Sequence, residues 1–219
     1  YGTENKQRKA ALVFARTFDS LSDDDANRII NFMSHKSGDS EGEWLFLTNY
    51  MADPLSRATL RQYALHIRKL TGYESELYYP ILHLLESLPA LFGDDIISYV
   101  ILPDDEFIKN IHAEYDLYEN CIKIRESIYD GAYTGNGRDR MTIAHEISHF
   151  LLLKANHVRF YHSSNEKIKS YQDPEWQAKC LAGELLIPEP LVKKMNVLEV
   201  SKHCGVSFSA AKYQLKYIN

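Results

Sequence analysis

The chain has 219 residues, of which 45% are hydrophobic, so it can bury one well-formed core with an appendage but not two large domains. Its net charge of -5 at pH 7 argues against a surface built mainly to hold phosphate backbones. Three cysteines without a C-x-x-C pair speak against a disulfide framework or a thiolate zinc cluster, and they favour the reduced cytosol. No apolar run reaches the roughly 18 residues of a membrane span, so we expect a cytoplasmic protein without a membrane segment.

Residues 1–52 predict a helical N-terminal extension and a linker. Apolar residues recur at helical spacing between Lys6 and Met33, and Ser22 precedes an acidic turn as an N-cap residue would. The stretch 34–43 is rich in Ser, Gly and charged residues, which is typical of a linker or loop. We interpret this region as a packing or linker extension, with a sensory or partner-binding role as the alternative.

The segment 53–195 predicts an α+β domain. Two amphipathic helices are expected first, one ending at Gly72 and one over Pro80 to Leu88. Three short segments rich in β-branched and aromatic residues then predict a small, mostly antiparallel sheet: Ile96 to Leu102, Ile111 to Asp116 and Cys121 to Arg125. A Gly-rich loop over Asp130 to Asp139 leads to a predicted helix over Met141 to Leu153, and a later helix is expected over Pro174 to Ile187.

The helix over Met141 to Leu153 carries an H-E-x-x-H motif, formed by His145, Glu146 and His149. On an α-helix the two histidines are separated by only about 40° of arc, so both imidazoles can reach one metal ion. Glu146 lies roughly 100° from His145, where it can act on a water molecule without ligating the metal. The opposite face is apolar and is expected to be core: Ile143, Ala144, Ile147, Phe150 and Leu151.

A catalytic zinc site takes three protein ligands and leaves one position open, so a third ligand is the discriminating test. The best candidate is Glu175, in the first turn of a helix that Asp173 caps and Pro174 begins. A favourable interaction with the helix dipole is the simpler interpretation of this carboxylate. Ala178 and Ala182 favour the ligand role, because small side chains on the same face let a second helix approach closely.

These parts predict the hydrolysis of a carbonyl compound. Zinc lowers the pKa of a coordinated water towards 7, and Glu146 can take the proton and pass it to the leaving amine. His157, Tyr161 and His162 are candidates to stabilise the oxyanion, although a polar surface loop is the default interpretation of that segment. The segment Cys121 to Ile128 could bind an extended peptide by edge addition, which favours a protein substrate.

Two blocks of the sequence resemble the ImmA/IrrE family of metallopeptidases. Arg140 to Leu152 reads RMTIAHEISHFLL and is similar to the family signature R-x-T-I-A-H-E-x-G-H-x-L-L. Glu175 to Pro188 reads EWQAKCLAGELLIP and is similar to E-x-x-A-x-x-F-A-x-x-L-L-x-P, whose leading Glu is the third zinc ligand in the family. The resemblance runs from about Pro54 to the C-terminus and implies a compact zincin-like core that cleaves a helix-turn-helix repressor in mobile elements, phages or stress responses.

The sequence departs from the family pattern at three positions. Ser148 replaces the usual Gly, Leu153 stands where many relatives have another His, and Lys179 occupies a position often filled by Asn or Asp. None of these changes removes a predicted ligand. The change at Lys179 is expected to weaken the contacts in the outer shell that orient a metal ligand.

Residues 196–219 predict two short helices around Gly205, Val206 and Ser207, an arrangement like a helix-turn-helix element. Direct binding of nucleic acid is the less favoured interpretation, because the chain is acidic and few lysines lie nearby. Packing on the peptidase core or docking of a repressor is favoured. The leading hypothesis is thus a zinc endopeptidase acting on a repressor or antitoxin; the alternatives are a non-enzymatic binding module on the same fold and a protease-type toxin or defence component.

Overall fold

The computed structural model describes residues 52–93, 96–107, 111–116, 119–155 and 168–218. The predicted extension lies outside the described residues except for Ala52, and so do His157, Tyr161 and His162. Within these ranges, helices and strands follow in this order: α1 Arg57–Leu70, α2 Ile81–Phe92, β1 Ser98–Leu102, β2 Ala113–Asp116, β3 Cys121–Arg125, α3 Glu126–Tyr133, α4 Gly137–Ala155, α5 Pro174–Leu186, α6 Glu189–Val192, α7 Val197–Cys204 and α8 Phe208–Leu215. This mixture of helices with one small sheet confirms the predicted α+β class.

Helix α5 begins where its sequence predicts. The side chain of Asp173 accepts a hydrogen bond from the backbone N–H of Glu175, and Pro174 occupies the first turn, where its missing N–H costs nothing. The helix ends at Leu186, just before Pro188. Helices α4 and α5 pack against each other, and α1 packs on α5, so these three helices form the framework of the domain.

The sheet has the strand order β1-β3-β2. Strand β2 pairs with β3 in the antiparallel sense, whereas β1 pairs with β3 in the parallel sense. The prediction of a mostly antiparallel sheet is therefore wrong for one of the two pairings, because composition locates strands without stating which ones become neighbours. The prediction that Cys121 to Ile128 offers an edge is also wrong: β3 is paired on both sides, and its last residues, Glu126 to Ile128, belong to α3.

The predicted Gly-rich loop is mostly helical. Helix α3 extends to Tyr133 and α4 already begins at Gly137, so only a short turn separates them. Two of the glycines permit close packing instead of forming a loop. A Cβ at Gly137 would lie 2.4 Å from the backbone carbonyl carbon of Val206, and one at Gly131 would collide with the carboxylate of Asp139.

The two C-terminal helices are present as predicted and pack on the core. Gly205, with a φ of 62°, ends α7 in the left-handed conformation, and Ser207 caps α8. Five residues of this region belong to the main hydrophobic cluster: Val200, Cys204, Val206, Ala211 and Leu215. Among the described helices, none has the length and apolar character that crossing a membrane requires.

Candidate metal centre

Helix α4 places His145 and His149 on one face, one turn apart. Their Nε2 atoms lie 3.0 Å from each other, and their rings meet edge to face with centroids 4.5 Å apart. Both side chains are half-buried, whereas Ile143, Ala144, Ile147 and Phe150 on the opposite face are fully buried. The helix thus anchors itself through its apolar face and directs two imidazoles to a common point.

The first turn of α5 brings Glu175 to the same point. Its Oε2 lies 3.3 Å from Nε2 of His145, and its Oε1 lies 3.1 Å from Nε2 of His149. Hydrogen bonds from the two imidazoles hold the pKa of this carboxyl well below its usual range. Because Ala178 and Ala182 are fully buried on the same helix, α5 can approach α4 closely enough for this contact.

The three groups fit a tetrahedral divalent metal. Two imidazole nitrogens and a carboxylate oxygen are a ligand set that zinc accepts, and bonds of about 2.1 Å in tetrahedral geometry separate ligand atoms by about 3.4 Å. The observed separations of 3.0, 3.1 and 3.3 Å are close to this value. No other group of three His, Cys, Asp or Glu side chains with such proximity occurs in the described part of the chain.

Glu146 lies beside this cluster but is directed differently. Its Oε2 accepts a hydrogen bond of 3.0 Å from the backbone N–H of Tyr115 on β2. The backbone N–H of Arg125 on β3 donates to the carbonyl of His112, just before β2. Because backbone groups along an antiparallel strand point alternately towards and away from the neighbouring strand, the N–H of Tyr115 points away from β3 and towards α4. Burial raises the pKa of Glu146 to about 7, and the nearby His145 and the Tyr115 N–H offset part of that rise. A carboxyl group that titrates near neutral pH is suited to accept a proton and return it.

The three departures from the family pattern have different environments. Ser148 is fully buried and donates a hydrogen bond of 2.7 Å to the carbonyl of Ala144, so its hydroxyl is satisfied within the helix. Leu153 is partly buried. Lys179 is the departure that touches the cluster, because its Nζ lies 3.6 Å from Oε2 of Glu175.

The outer shell of His145 differs from that of most metal-binding histidines. Its Nδ1 atom is buried and has no hydrogen-bond partner among the residues that the structure describes. A ligating histidine normally donates this second N–H to a carboxylate or carbonyl, which fixes the ring. Here the orientation of the ring depends on packing along α4 and on the contacts at Nε2.

A cleft of about 580 Å³ opens beside His145, between α4, α5 and α8. No pattern in the sequence indicated this cleft. The wall contributed by α8 comes from more than 60 residues further along the chain, and no local pattern near Ala210 or Gln214 indicates that they would border the cluster. The three candidate ligands could be predicted from the sequence because each lies in a local motif. The cleft could not, because it results from packing between distant segments.

Comparison with known proteins places this part of the chain in a family. Residues 108–216 match a peptidase family that is described as the IrrE N-terminal-like domain. This part of the chain, which contains the whole histidine and glutamate cluster, belongs to that family, so the predicted family is confirmed.

More distant similarity is limited. No curated protein sequence matches the chain. Among solved structures, a Mycobacterium tuberculosis transcriptional regulator is 15% identical and aligns with a TM-score of 0.48. The alignment covers 72% of this chain and 46% of the regulator, so the chain spans less than half the length of that protein.

Proposed function

We propose that this protein is a zinc-dependent endopeptidase that hydrolyses a peptide bond in a protein partner. The observation that carries the proposal is the convergence of the Nε2 atoms of His145 and His149 and the carboxylate of Glu175 to within 3.3 Å of one another, beside the buried Glu146. Membership of a peptidase family supports the same chemistry. In this proposal His145, His149 and Glu175 hold the metal.

Each residue has a distinct chemical role. Zinc, when bound, supplies Lewis acidity to the hydrolysis of a carbonyl group. Glu146 takes the proton of the attacking water at its carboxylate and then delivers it to the leaving amine. The backbone N–H of Tyr115 holds that carboxylate in place, at the outer edge of the sheet that the described residues form.

We further propose that the substrate is a helix-turn-helix repressor or an antitoxin, so that cleavage in the cytoplasm changes gene expression. This part rests on the family resemblance, which implies such substrates. The site itself specifies only that the scissile bond must enter a region bordered by α4 and α5.

The proposal predicts that Glu146→Gln retains zinc but loses cleavage. The purified, zinc-loaded chain is incubated with each helix-turn-helix protein that its neighbouring genes encode, and fragments are quantified by mass spectrometry. We expect the variant to bind zinc in a 1:1 ratio and to be slower by at least about 100-fold, because proton transfer by a positioned carboxylate contributes about that much. Glu74→Gln is the matched control, since this exposed residue after α1 lies outside the ligand cluster and should keep its activity.

Two outcomes would contradict the proposal. Cleavage that persists in Glu146→Gln would remove this residue from the mechanism. Partner binding that needs no metal, with no cleavage after zinc is restored, would favour a non-enzymatic binding module on the peptidase fold.

A further inference from the structure

The cleft beside His145 has the features of a pocket that selects substrate. Its volume of about 580 Å³ is in the range of ligand-binding sites and is large enough for a bulky side chain with its flanking backbone. Met141 of α4, Ala182 and Ile187 of the α5 region and Ala210 of α8 give it apolar walls. A substrate side chain that enters it would exchange water for apolar contacts.

The position of the cleft links it to the cluster of proposed metal ligands. His145 belongs to both, so a residue that occupies the cleft lies next to the region where the scissile carbonyl must be. The cleft is therefore placed to hold the substrate residue that flanks the scissile bond.

The charges around the cleft have one sign. Arg138 and Lys179 are exposed residues that line it, and no acidic residue is part of its lining in the described regions. Lys179 is paired with Glu175, whereas Arg138 forms no salt bridge with any described carboxylate and has a contact of 3.5 Å with Nε2 of His112. An acidic residue in the substrate would find a complementary charge at Arg138.

Gln214 contributes a nearly fully buried polar side chain to the wall. Gln214 is 2% exposed, its Oε1 accepts a hydrogen bond from Arg57, and its Nε2 is buried without a partner among the described residues. Because this Nε2 atom is closed to solvent, Gln214 gives the wall its shape, and the groups open to a substrate are the apolar residues and Arg138.

We infer that this cleft is the specificity pocket of the enzyme and that it takes a bulky apolar side chain next to the scissile bond, in a segment with an acidic residue beside it. This inference rests on the proposed peptidase function. It assigns the choice of cleavage site to α8 and to Arg138, neither of which belongs to the metal cluster.

The shape of the pocket is tested with Ala210→Trp, which fills it. The probes are two fluorogenic peptides that differ only at the residue flanking the scissile bond, Phe in one and Ala in the other, each with a neighbouring Asp. We expect kcat/KM for the Phe peptide to fall at least tenfold in the variant and that for the Ala peptide to change less than threefold, because pocket contacts of this size give such discrimination. Lys212→Trp is the control, since this exposed residue lies on the same helix outside the lining.

The charge preference is tested with Arg138→Glu. The peptide with Asp beside the Phe should lose at least fivefold in kcat/KM, and one with Lys there should gain. Lys202→Glu on α7 makes the same change of charge away from the cleft and should leave both peptides unchanged. Equal cleavage of all peptides by the wild type, or no response to Ala210→Trp, would overturn the inference.

A binding measurement separates this inference from the proposed function. Zinc-loaded Glu146→Gln is titrated with fluorescein-labelled versions of the same peptides, and anisotropy gives each Kd. A preference for the Phe and Asp peptide that Ala210→Trp abolishes supports the pocket, even if the wild type cleaves nothing and the peptidase proposal fails. Cleavage by the wild type together with indiscriminate binding would keep the peptidase and remove the pocket.

Discussion

Two glutamates in one site have pKa shifts of opposite sign, and their surroundings explain the difference. Glu146 is 9% exposed, and burial raises its pKa to about 7. The side chain of Glu175 is 58% exposed, and in the metal-free arrangement two imidazole donors hold its pKa well below the usual range. A divalent cation bound by the same atoms would favour the anionic form in the same way. Environments that separate the pKa values of neighbouring carboxyls allow one to exchange protons while the other stays anionic. The roles proposed for the two residues follow this division.

Lys179 departs from the family pattern and lies beside the proposed metal site. Its ammonium lies 3.6 Å from the carboxylate that we propose as a ligand, so it repels a divalent cation there. We expect Lys179→Met to lower the Kd for zinc by about two- to tenfold, since solvent and salt screen an exposed charge. Competition with a chromophoric zinc chelator at low and high ionic strength measures this change, which should shrink as salt rises.

Lys194→Met serves as the control for that measurement, because this exposed lysine does not line the cleft or touch the cluster. A Kd that rises in Lys179→Met would show the opposite balance, in which the ammonium orients Glu175 more than it repels the ion.

At the scale of elements, local signals determined what sequence analysis could predict. The cap at Asp173, the turn at Gly205 and the H-E-x-x-H spacing act within a few residues, and each corresponding helix is present, although α4 is longer at both ends than its sequence indicated. The order of the strands and the helical state of 130–133 depend on distant partners. Gly131 and Gly137 look like loop residues in the sequence because their packing against Asp139 and Val206 becomes visible only in the fold.

Arg140 shows how one motif residue joins separate elements. Its guanidinium is 1% exposed and donates to the carbonyls of Gly205 and Tyr79 at 2.8 Å and to that of Cys204 at 3.3 Å. It also stacks on the ring of Tyr78, 3.9 Å from the centroid. The family signature contains this arginine, but the sequence alone did not indicate that it ties α4 to the turn between α7 and α8.

We expect Arg140→Ala to lower the free energy of unfolding by about 3 kcal/mol, because it leaves buried carbonyl groups without donors and creates a cavity. Urea denaturation followed by circular dichroism measures the loss. Lys202→Ala, an exposed change on α7, should alter stability by less than about 0.5 kcal/mol. A loss below about 1 kcal/mol for Arg140→Ala would mean that the desolvation cost of the guanidinium nearly cancels its hydrogen bonds.

Several buried charges of the described residues have direct polar partners. The carboxylate of Glu184 receives Arg57 and Arg61 at 3.1 and 2.9 Å, and the guanidinium of Arg68 donates to the carbonyls of Leu185 and Glu76. Lys154 differs, because within the described residues its ammonium forms no salt bridge and contacts the amide oxygen of Asn120 at 3.3 Å. Burial lowers the pKa of Lys154 to about 8. This charge therefore costs stability to the fold as a whole.

The shift makes a prediction for the dependence of stability on pH. An unfolded lysine titrates near pH 10.4, so below about pH 8 both states carry the proton and the native state bears the full cost of burying it. Between about pH 8 and 10.4 the native lysine is neutral while the unfolded one is charged, so the unfolded state binds more protons and this group's cost fades as pH rises. We expect Lys154→Met to be more stable than the wild type by on the order of 2 to 3 kcal/mol at pH 7, with the difference nearly gone at pH 10.5.

Urea denaturation of the wild type and of Lys154→Met at several pH values measures this difference directly, and the subtraction removes the titration of the buried tyrosines that both chains share. The matched control is Lys202→Met, whose side chain is exposed in both states and should give a small difference that does not vary with pH. A variant Lys154→Met that is less stable than the wild type at pH 7 would contradict this prediction. It would mean that the contacts of the ammonium with Asn120 and with the ring of Phe150, 5.8 Å away, outweigh the cost of its desolvation.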